Sequence, residues 1–451
     1  MSIQFDGTLT PADNRRTIPY TIDVPEGVSK LAIFFDFEPL HTEGQPYPQQ
    51  ISLAIHDPNG PRGEWSITTR EGLHISPAGA TPGTLPGAIP AGEWIVFVLA
   101  HRIQPPIPVT YRLRVEWSSE LVTETAPVWT PGTTAPRGPG WYRGDLHGHT
   151  IHSDGSWDIP EFVEYMRSRH LDFVTLSDHN TISGVAQHRS LANDDLVAIG
   201  GVELSMFRGH ALALGVQQWF DWREGTQRML SMPELAQKVL DAGAFFVIAH
   251  PMAVGDPECC GCHWEFEDMM PGNAPAAEVW NGYWHAYNEE SLALYRDWLN
   301  DGHRMVSTSG TDIHGRPPME GIGRAAANVV YADAFSETAI LEGIRRGHSY
   351  ISAGPGLILT ARTEAGQEAM MGDSLPAQPV TIVASWDRAP EGTTLRVIAD
   401  GRTYQEQPVE ASGAGSWALE RGACGWVSLE LRDADGIPWA LTNPLFLDGR
   451  R

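Results

Sequence analysis

Through the first 138 residues the chain alternates short apolar runs with proline and glycine. Lys30–Phe37 (KLAIFFDF), Gln50–His56 (QISLAIH), Trp94–Ala100 (WIVFVLA) and Thr110–Trp117 (TYRLRVEW) stand out. Runs of that length, rich in β-branched and aromatic residues and bounded by turn formers, predict a sandwich-like antiparallel β domain over 1–138. Pro127 to Gly140 (PVWTPGTTAPRGPG) carries no apolar period and reads as a linker.

From Trp141 the pattern switches to strands alternating with helices. A helix is expected over Asp158–His170, then the strand Leu171–Leu176. Leu196–Gly201 and Ala211–Leu214 are the next apolar runs. Ser231-Met232-Pro233-Glu234 is a capping box with proline in the first turn, opening a helix to Ala242. The strands Ala244–Ala249 and Ala277–Trp280 follow, then a helix near Glu289–Asn300 stopped at Gly302, the strand Arg304–Ser309, and a helix over Ser336–Arg346. Such alternation predicts an α/β unit over 139–354, with parallel strands covered by helices and closed or nearly closed as a barrel. After Gly354 short strands return at Val380–Trp386, Thr394–Ala399, Trp426–Leu431 and Trp439–Leu447, which predict a small β-sandwich module over 355–451.

A chain of 451 residues accommodates about two to four domains, in keeping with this division. The formal net charge of -25 argues against a nucleic-acid polymer as partner, which needs clustered Lys and Arg. No basic segment leads into an apolar core at the N-terminus and no window approaches a membrane span, so a cytoplasmic protein off the membrane is expected. Four cysteines, with Cys259, Cys260 and Cys262 crowded together, do not resemble a disulfide framework. The oligomeric state stays open.

Candidate chemistry concentrates in the middle. Twelve of the 17 histidines lie between His147 and His314, where an even spread would place about six. Asp145-Leu146-His147-Gly148-His149-Thr150-Ile151-His152-Ser153-Asp154-Gly155 opens that region, and His147 and His149 on an extended segment point to one side, able to grip one cation. The remaining ligand types sit at expected strand ends, where α/β folds place their chemistry. Ser177-Asp178-His179-Asn180, Val202-Glu203, His250-Pro251 and Gly310-Thr311-Asp312-Ile313-His314 follow strands, while Gly209-His210 precedes one.

The succession D-L-H-x-H-T…S-D-G, D-H-N, G-x-E, G-H, A-H-P and G-T-D-x-H resembles the polymerase and histidinol phosphatase (PHP) superfamily of metal-dependent phosphoesterases. Within it, Glu278-Val279-Trp280-Asn281-Gly282, Ile344-Arg345-Arg346-Gly347 and Thr442-Asn443-Pro444 resemble marks of the CehA/McbA-type metallohydrolases. The resemblance covers residues 141–354 strongly and implies a distorted (β/α)7 barrel with two or three divalent ions, Mn2+, Zn2+ or Fe2+. It implies one ion at His147, His149, Glu203 and Asp312, and a second sharing Glu203 with His210 and His250. A third falls to Asp154, His179 and His314. Glu203, His250, Asp312 and His179 would carry catalysis around a hydroxide bridging two ions, with Glu203 screening ions roughly 3.5–4 Å apart. His152 is placed behind the ligands or toward substrate. Asp145 and Asp178 are placed as orienters, accepting hydrogen bonds from ligand imidazoles or backbone N–H groups, with Thr150, Ser177 and Thr311 as packing or supporting hydroxyls.

The expected activity is hydrolysis of a small, anionic phosphate mono- or diester. A carbamate or carboxylic ester is the alternative, because hydroxide between two ions attacks either centre. Cys259-Cys260-Gly261-Cys262-His263 reads as a zinc knuckle or, lacking a second cysteine pair, as a mobile loop bordering the pocket. Trp264, Trp280, Tyr283, Trp284 and His285 are divided between pocket wall and core. Arg208, Arg316 and Arg324 lie close in sequence to the ligands, and Arg316 is the first choice as an anion clamp.

Overall fold

The protein is described by a computed structural model over residues 1–66, 72–224, 228–266, 271–316 and 324–447. The last four residues expected in the C-terminal module therefore lie outside the described residues. The chain is mixed α/β, with many strands and few helices.

Two antiparallel sheets build the N-terminal part. One runs in the order Ser2–Leu9, Val109–Ser118, Lys30–Glu38, Leu73–Ser76, Gly79–Ala80. The other runs Arg16–Val24, Gly92–Arg102, Gln50–Asp57, Gly60–Ser66. Alternation turns Leu31, Ile33 and Phe35 of one sheet toward Trp94, Val96 and Val98 of the other, in one core. The run WIVFVLA is apolar at consecutive positions rather than alternate ones, which foretells burial of both faces. Its second face carries Phe97 and Leu99, which join Val202, Leu204, Met206 and Phe207 in the core of the middle region. Residues 119–138 have no regular structure, yet Gly132, Thr134 and Arg137 bond to Arg189, Phe335 and Asp195, so the linker lies along the next unit.

In the middle region the strands Gly140–Asp145, Phe173–Leu176 and Val197–Met206 are parallel neighbours. Gly209–Leu214 then pairs antiparallel with both Val197–Met206 and Phe245–Ile248, and Phe245–Ile248, Ala276–Asn281 and Val306–Gly310 complete the series in parallel. The expectation of parallel strands throughout is therefore corrected at the hairpin. Only Phe207 and Arg208 separate its two strands, and two residues cannot make the crossover that a parallel pair needs. The expected barrel closure is not a strand ladder either. One bridge between Gly148 and Ile313 joins the two ends, and Gly140–Asp145 instead pairs antiparallel with Ala327–Ala332. That strand leads through Ser349–Ser352 to Pro438–Thr442, so the sheet continues into the C-terminal module.

Helix starts follow their caps. Asp158 Oδ1 accepts from Glu161 N at 2.9 Å, opening Ile159–Ser168. The Glu234 carboxylate accepts from Ser231 N at 2.8 Å, opening Met232–Asp241. Ala286–Asn300 and Glu337–Arg345 complete the longer helices, and Val185–Ser190 is a short one the periodicity does not announce. No described helix is long and apolar enough to cross a membrane. The expected strand Trp439–Leu447 is split at Asn443-Pro444 into Pro438–Thr442 and Leu445–Phe446.

Asn443 is fully buried and explains that break. Its Oδ1 accepts from Ser307 N at 2.7 Å, and its Nδ2 donates to Ser349 O at 3.0 Å and Ser349 Oγ at 2.9 Å. One side chain thus fastens the strand before Asp312 to the C-terminal module. Asn443→Ala strands a buried N–H and is expected to cost about 3 kcal/mol of unfolding free energy, read by urea denaturation. A loss below about 1 kcal/mol would remove this fastening role.

Candidate metal centre

Glu203 does not follow a strand as expected but lies inside Val197–Met206, paired with Leu212 across the hairpin, and five imidazoles surround its buried carboxylate. Oε2 lies 3.2 Å from His147 Nε2, 3.4 Å from His149 Nε2 and 2.9 Å from His179 Nδ1. Oε1 lies 3.1 Å from His210 Nδ1 and 3.0 Å from His250 Nε2. Asp312 closes the first side, with Oδ1 2.9 Å from His149 Nε2 and 3.3 Å from His147 Nε2. Asp154 stands further out, 3.2 Å from His314 Nε2 and 3.5 Å from His179 Nε2. All nine residues expected as ligands thus converge.

The grouping differs in detail from the expected one. His147, His149, Glu203 and Asp312 form one cluster, as expected. His149 joins Asp154, His179 and His314 in another, and His179 takes the place expected of His250 beside Glu203 and His210 in a third, while His250 meets the centre through Glu203 Oε1 alone. His149 and His179 therefore lie between neighbouring clusters, with their rings stacked 4.4 Å apart.

The donor set fits divalent cations. His147 Nε2, His149 Nδ1 and Glu203 Oε2 are buried without a hydrogen-bond partner. His147 Nε2 and His149 Nε2 approach Glu203 Oε2 at 3.2 and 3.4 Å without hydrogen-bond alignment, as ligands aimed at a common point do. Burial works against charge on His147, but Asp312, Glu278 and Glu203 outweigh it and hold its pKa well above the ordinary value. His179 is raised in the same way by Asp154 and Glu203. His149 goes the other way, to about 4, through burial and then the neighbouring His314 and His179. Burial also opposes ionisation of Glu203, yet His179, His147 and His210 hold it well below the carboxylate range.

A supporting layer sets these side chains. Glu278, which the sequence marks without a role, accepts from His147 Nδ1 at 3.2 Å and from His250 N at 3.1 Å. Its position fixes which nitrogen of His147 faces Glu203. Asn281 Nδ2 donates to Asp312 Oδ2 at 3.2 Å, and Ser205 Oγ contacts His179 Nδ1 at 2.5 Å. Asp145 accepts from Thr311 N at 3.0 Å and His147 N at 3.3 Å, and Asp178 accepts from Thr150 and Ser153. Both aspartates orient backbone and hydroxyl groups, not ligand imidazoles. Ser177 Oγ accepts from Gly148 N at 3.0 Å. His152 bonds Ser183 Oγ at 2.7 Å and joins none of the ligand clusters. Asn180, His250 and Asp312 adopt left-handed backbone (φ 50°, 28° and 49°), a costly conformation that concentrates where side chains must be aimed.

Beside the clusters a cavity of about 580 Å³ is lined by Tyr165, Arg169, Tyr283, Tyr287, Asp312 and His314 among others. Arg169, the residue ending the helix Ile159–Ser168, supplies the cation there. None of the three arginines singled out by sequence lines this cavity. Arg324 pairs with Asp433 and lies over Trp439, while Arg208 and Arg316 are exposed. Proximity along the chain to Asp312 did not become proximity in space. Tyr283 and His285 do line the cavity; Trp264 and Trp280 are core. Cys259 and Cys262 are joined in a disulfide, where the cysteine spacing predicts a zinc knuckle or a mobile loop.

No family model and no curated protein matches the sequence. Among solved structures, a two-domain protein from Bacteroides vulgatus containing a predicted PHP-like metal-dependent phosphoesterase is 15% identical. The match covers 69% of this chain and 96% of that one, with a TM-score of 0.39. An amidohydrolase from Chromobacterium violaceum with bound sulfate and no metal is 16% identical over 40% of this chain and 89% of that one, with a TM-score of 0.28. A candidate metal-dependent phosphoesterase from Bifidobacterium adolescentis is 15% identical over 44% and 94%, with a TM-score of 0.26. At these scores the side chains, not the likenesses, carry the chemistry.

Two outcomes follow from the centre. Asp312, Glu278 and Glu203 around His147, and Asp154 and Glu203 around His179, hold these two imidazoles well above their ordinary pKa, so chelator-stripped protein favours their protonated form and ligation must displace those protons. Metal affinity should therefore rise with pH through neutrality, with net proton release seen by calorimetry in buffers of different ionisation enthalpy. Proton uptake would contradict these signs. Asp154→Ala should lower the ion content by part of its total, and Glu203→Gln by most of it, measured by elemental analysis; unchanged content would reassign each residue.

Proposed function

We propose that this chain is a metal-dependent hydrolase of the PHP class that cleaves a small phosphate mono- or diester. The observation carrying this reading is that Asp312 and His314 belong both to the ligand clusters and to the wall of the cavity that holds Arg169. Divalent ions bound at such ligands lower the pKa of a coordinated water and polarise the ester under attack. The CehA/McbA-type resemblance, the two or three ions and the roles of Glu203, His250, Asp312 and His179 belong to the same proposal.

The chain's own residues divide the remaining work. Glu203 offers one oxygen to His147, His149 and His179 and the other to His210 and His250, the arrangement a bridging carboxylate needs. Glu278 and Asn281 hold His147 and Asp312 in their orientations. Arg169 binds the non-reacting oxygens of an anionic substrate. Tyr165, Tyr283 and Tyr287 give the leaving group an aromatic wall. That wall suits an aryl group of either ester class, whereas a guanidinium favours the phosphate over a neutral carbamate.

The test is turnover of p-nitrophenyl phosphate, bis-p-nitrophenyl phosphate and 1-naphthyl methylcarbamate with added Mn2+ or Zn2+. Phosphate cleavage is expected, with Arg169→Ala raising KM by about 10- to 100-fold, the worth of one charged hydrogen bond. Carbamate cleavage without phosphate turnover would overturn the proposal in favour of the second ester class.

A further inference from the structure

The loop after His250-Pro251 reaches both imidazoles on the Oε1 side of Glu203. Its Cys262 carbonyl contacts His250 Nδ1 at 3.1 Å. Gly261, in left-handed backbone (φ 86°), lies so close to His210 that a Cβ there would stand 3.2 Å from Nε2. His210 therefore has two faces: Nδ1 toward Glu203 and Nε2 toward the loop. The sulfurs of Cys259 and Cys262 and a His210 nitrogen all lie within 4.8 Å of one another. Two sulfurs and an imidazole at that spacing are a soft-metal donor set once the sulfurs are free.

The loop is held in place from outside the centre. Arg15 of the N-terminal sandwich pairs with Asp256 at 2.8 Å and Glu265 at 2.6 Å, bracketing the cysteines. Gln50 donates to Glu258 O at 2.6 Å and accepts from Cys260 N at 3.0 Å. Such anchoring keeps the cysteines beside His210 whether or not they are bonded. Cys259 and Cys262 are half-buried, within reach of a small thiol, while Cys260 is buried.

We propose that Cys259, Cys262 and His210 form a redox-gated site for a thiophilic divalent ion of the zinc class. Opening consumes two equivalents of a small thiol: the protein S–S bond breaks and the small disulfide forms. Two electrons and two protons pass to Cys259 and Cys262. On binding the ion each thiol gives its proton to solvent, while His210 keeps its single ring proton on Nδ1, donated to Glu203 Oε1, and its unprotonated Nε2 supplies the third ligand. Reversal needs a small disulfide such as oxidised glutathione, which takes the two electrons back and expels the ion. The redox state thus decides whether His210 gives its unprotonated nitrogen to a soft ion at the loop or to the Glu203 centre. The inference uses the position of His210 and does not depend on which ester is cleaved.

The test uses the full chain with Co2+ alone as probe. Reduced protein, freed of reductant without air, should develop thiolate-to-cobalt charge-transfer absorption and keep an additional cobalt ion through dialysis. Protein oxidised with glutathione disulfide should lack both, and thiol titration should show the matching loss of two thiols. Cys259→Ser and Cys262→Ser should each weaken the band, and Cys260→Ser should leave it. No band in protein whose thiols are shown to be reduced would overturn the site, as would a band surviving the double Cys259→Ser, Cys262→Ser change. A pair that cannot be oxidised would overturn the gate. Failure of the hydrolase reading shows up separately, as missing ester turnover beside an intact cobalt band.

Discussion

The carboxylate of Glu203 is the constraint around which the molecule is arranged. It is fully buried, and an ion in that position costs several kcal/mol unless opposite charge and well-aimed donors surround it. Five imidazoles do so, from the turn after Gly140–Asp145, the turn after Phe173–Leu176, the start of Gly209–Leu214 and the turn after Phe245–Ile248. No one of these segments could hold the charge alone. The series of strands exists, in energetic terms, to deliver their ends to one carboxylate.

That requirement spreads outward. His179 is held by Ser205, whose N–H donates to Asn180 Oδ1 at 2.9 Å, while Asn180 Nδ2 donates to Glu64 Oε1 at 2.7 Å. Glu64 belongs to the N-terminal sandwich and is itself buried against Arg223, its pKa pushed up to about 7 by burial. A polar chain therefore runs from a residue with no motif of its own to a residue at the centre. Asn443 in turn ties the strand leading to Asp312 to the C-terminal strands. Residues from both ends of the chain thus brace the centre.

Position also separates residues of equal sequence appeal. Arg316 and Arg324 both follow Asp312 closely in the chain, yet one is exposed and the other is engaged with Asp433 and Trp439. Arg169 ends a helix with nothing in its neighbourhood to mark it, and its place at the helix end sets it in the cavity beside Asp312.

The sequence by itself determined the donor types and the local structure that carries them. His147 and His149 are spaced for one extended segment, Asp158 and Ser231 cap helices, and apolar runs lead into Asp178-His179, Glu203, His250 and Asp312. These are readable because period, capping and strand-end placement are local properties of a few consecutive residues. Only the tertiary structure decided which donors share a cluster, that the hairpin at Phe207–Arg208 turns Gly209–Leu214 antiparallel, and that Glu278, Ser205 and Glu64 support the ligands. It also placed the Cys259–Cys262 pair against His210. Those are contacts between segments far apart in the chain, chosen by how a continuous sheet packs and by the need to satisfy every buried charge, and neither has a period to read.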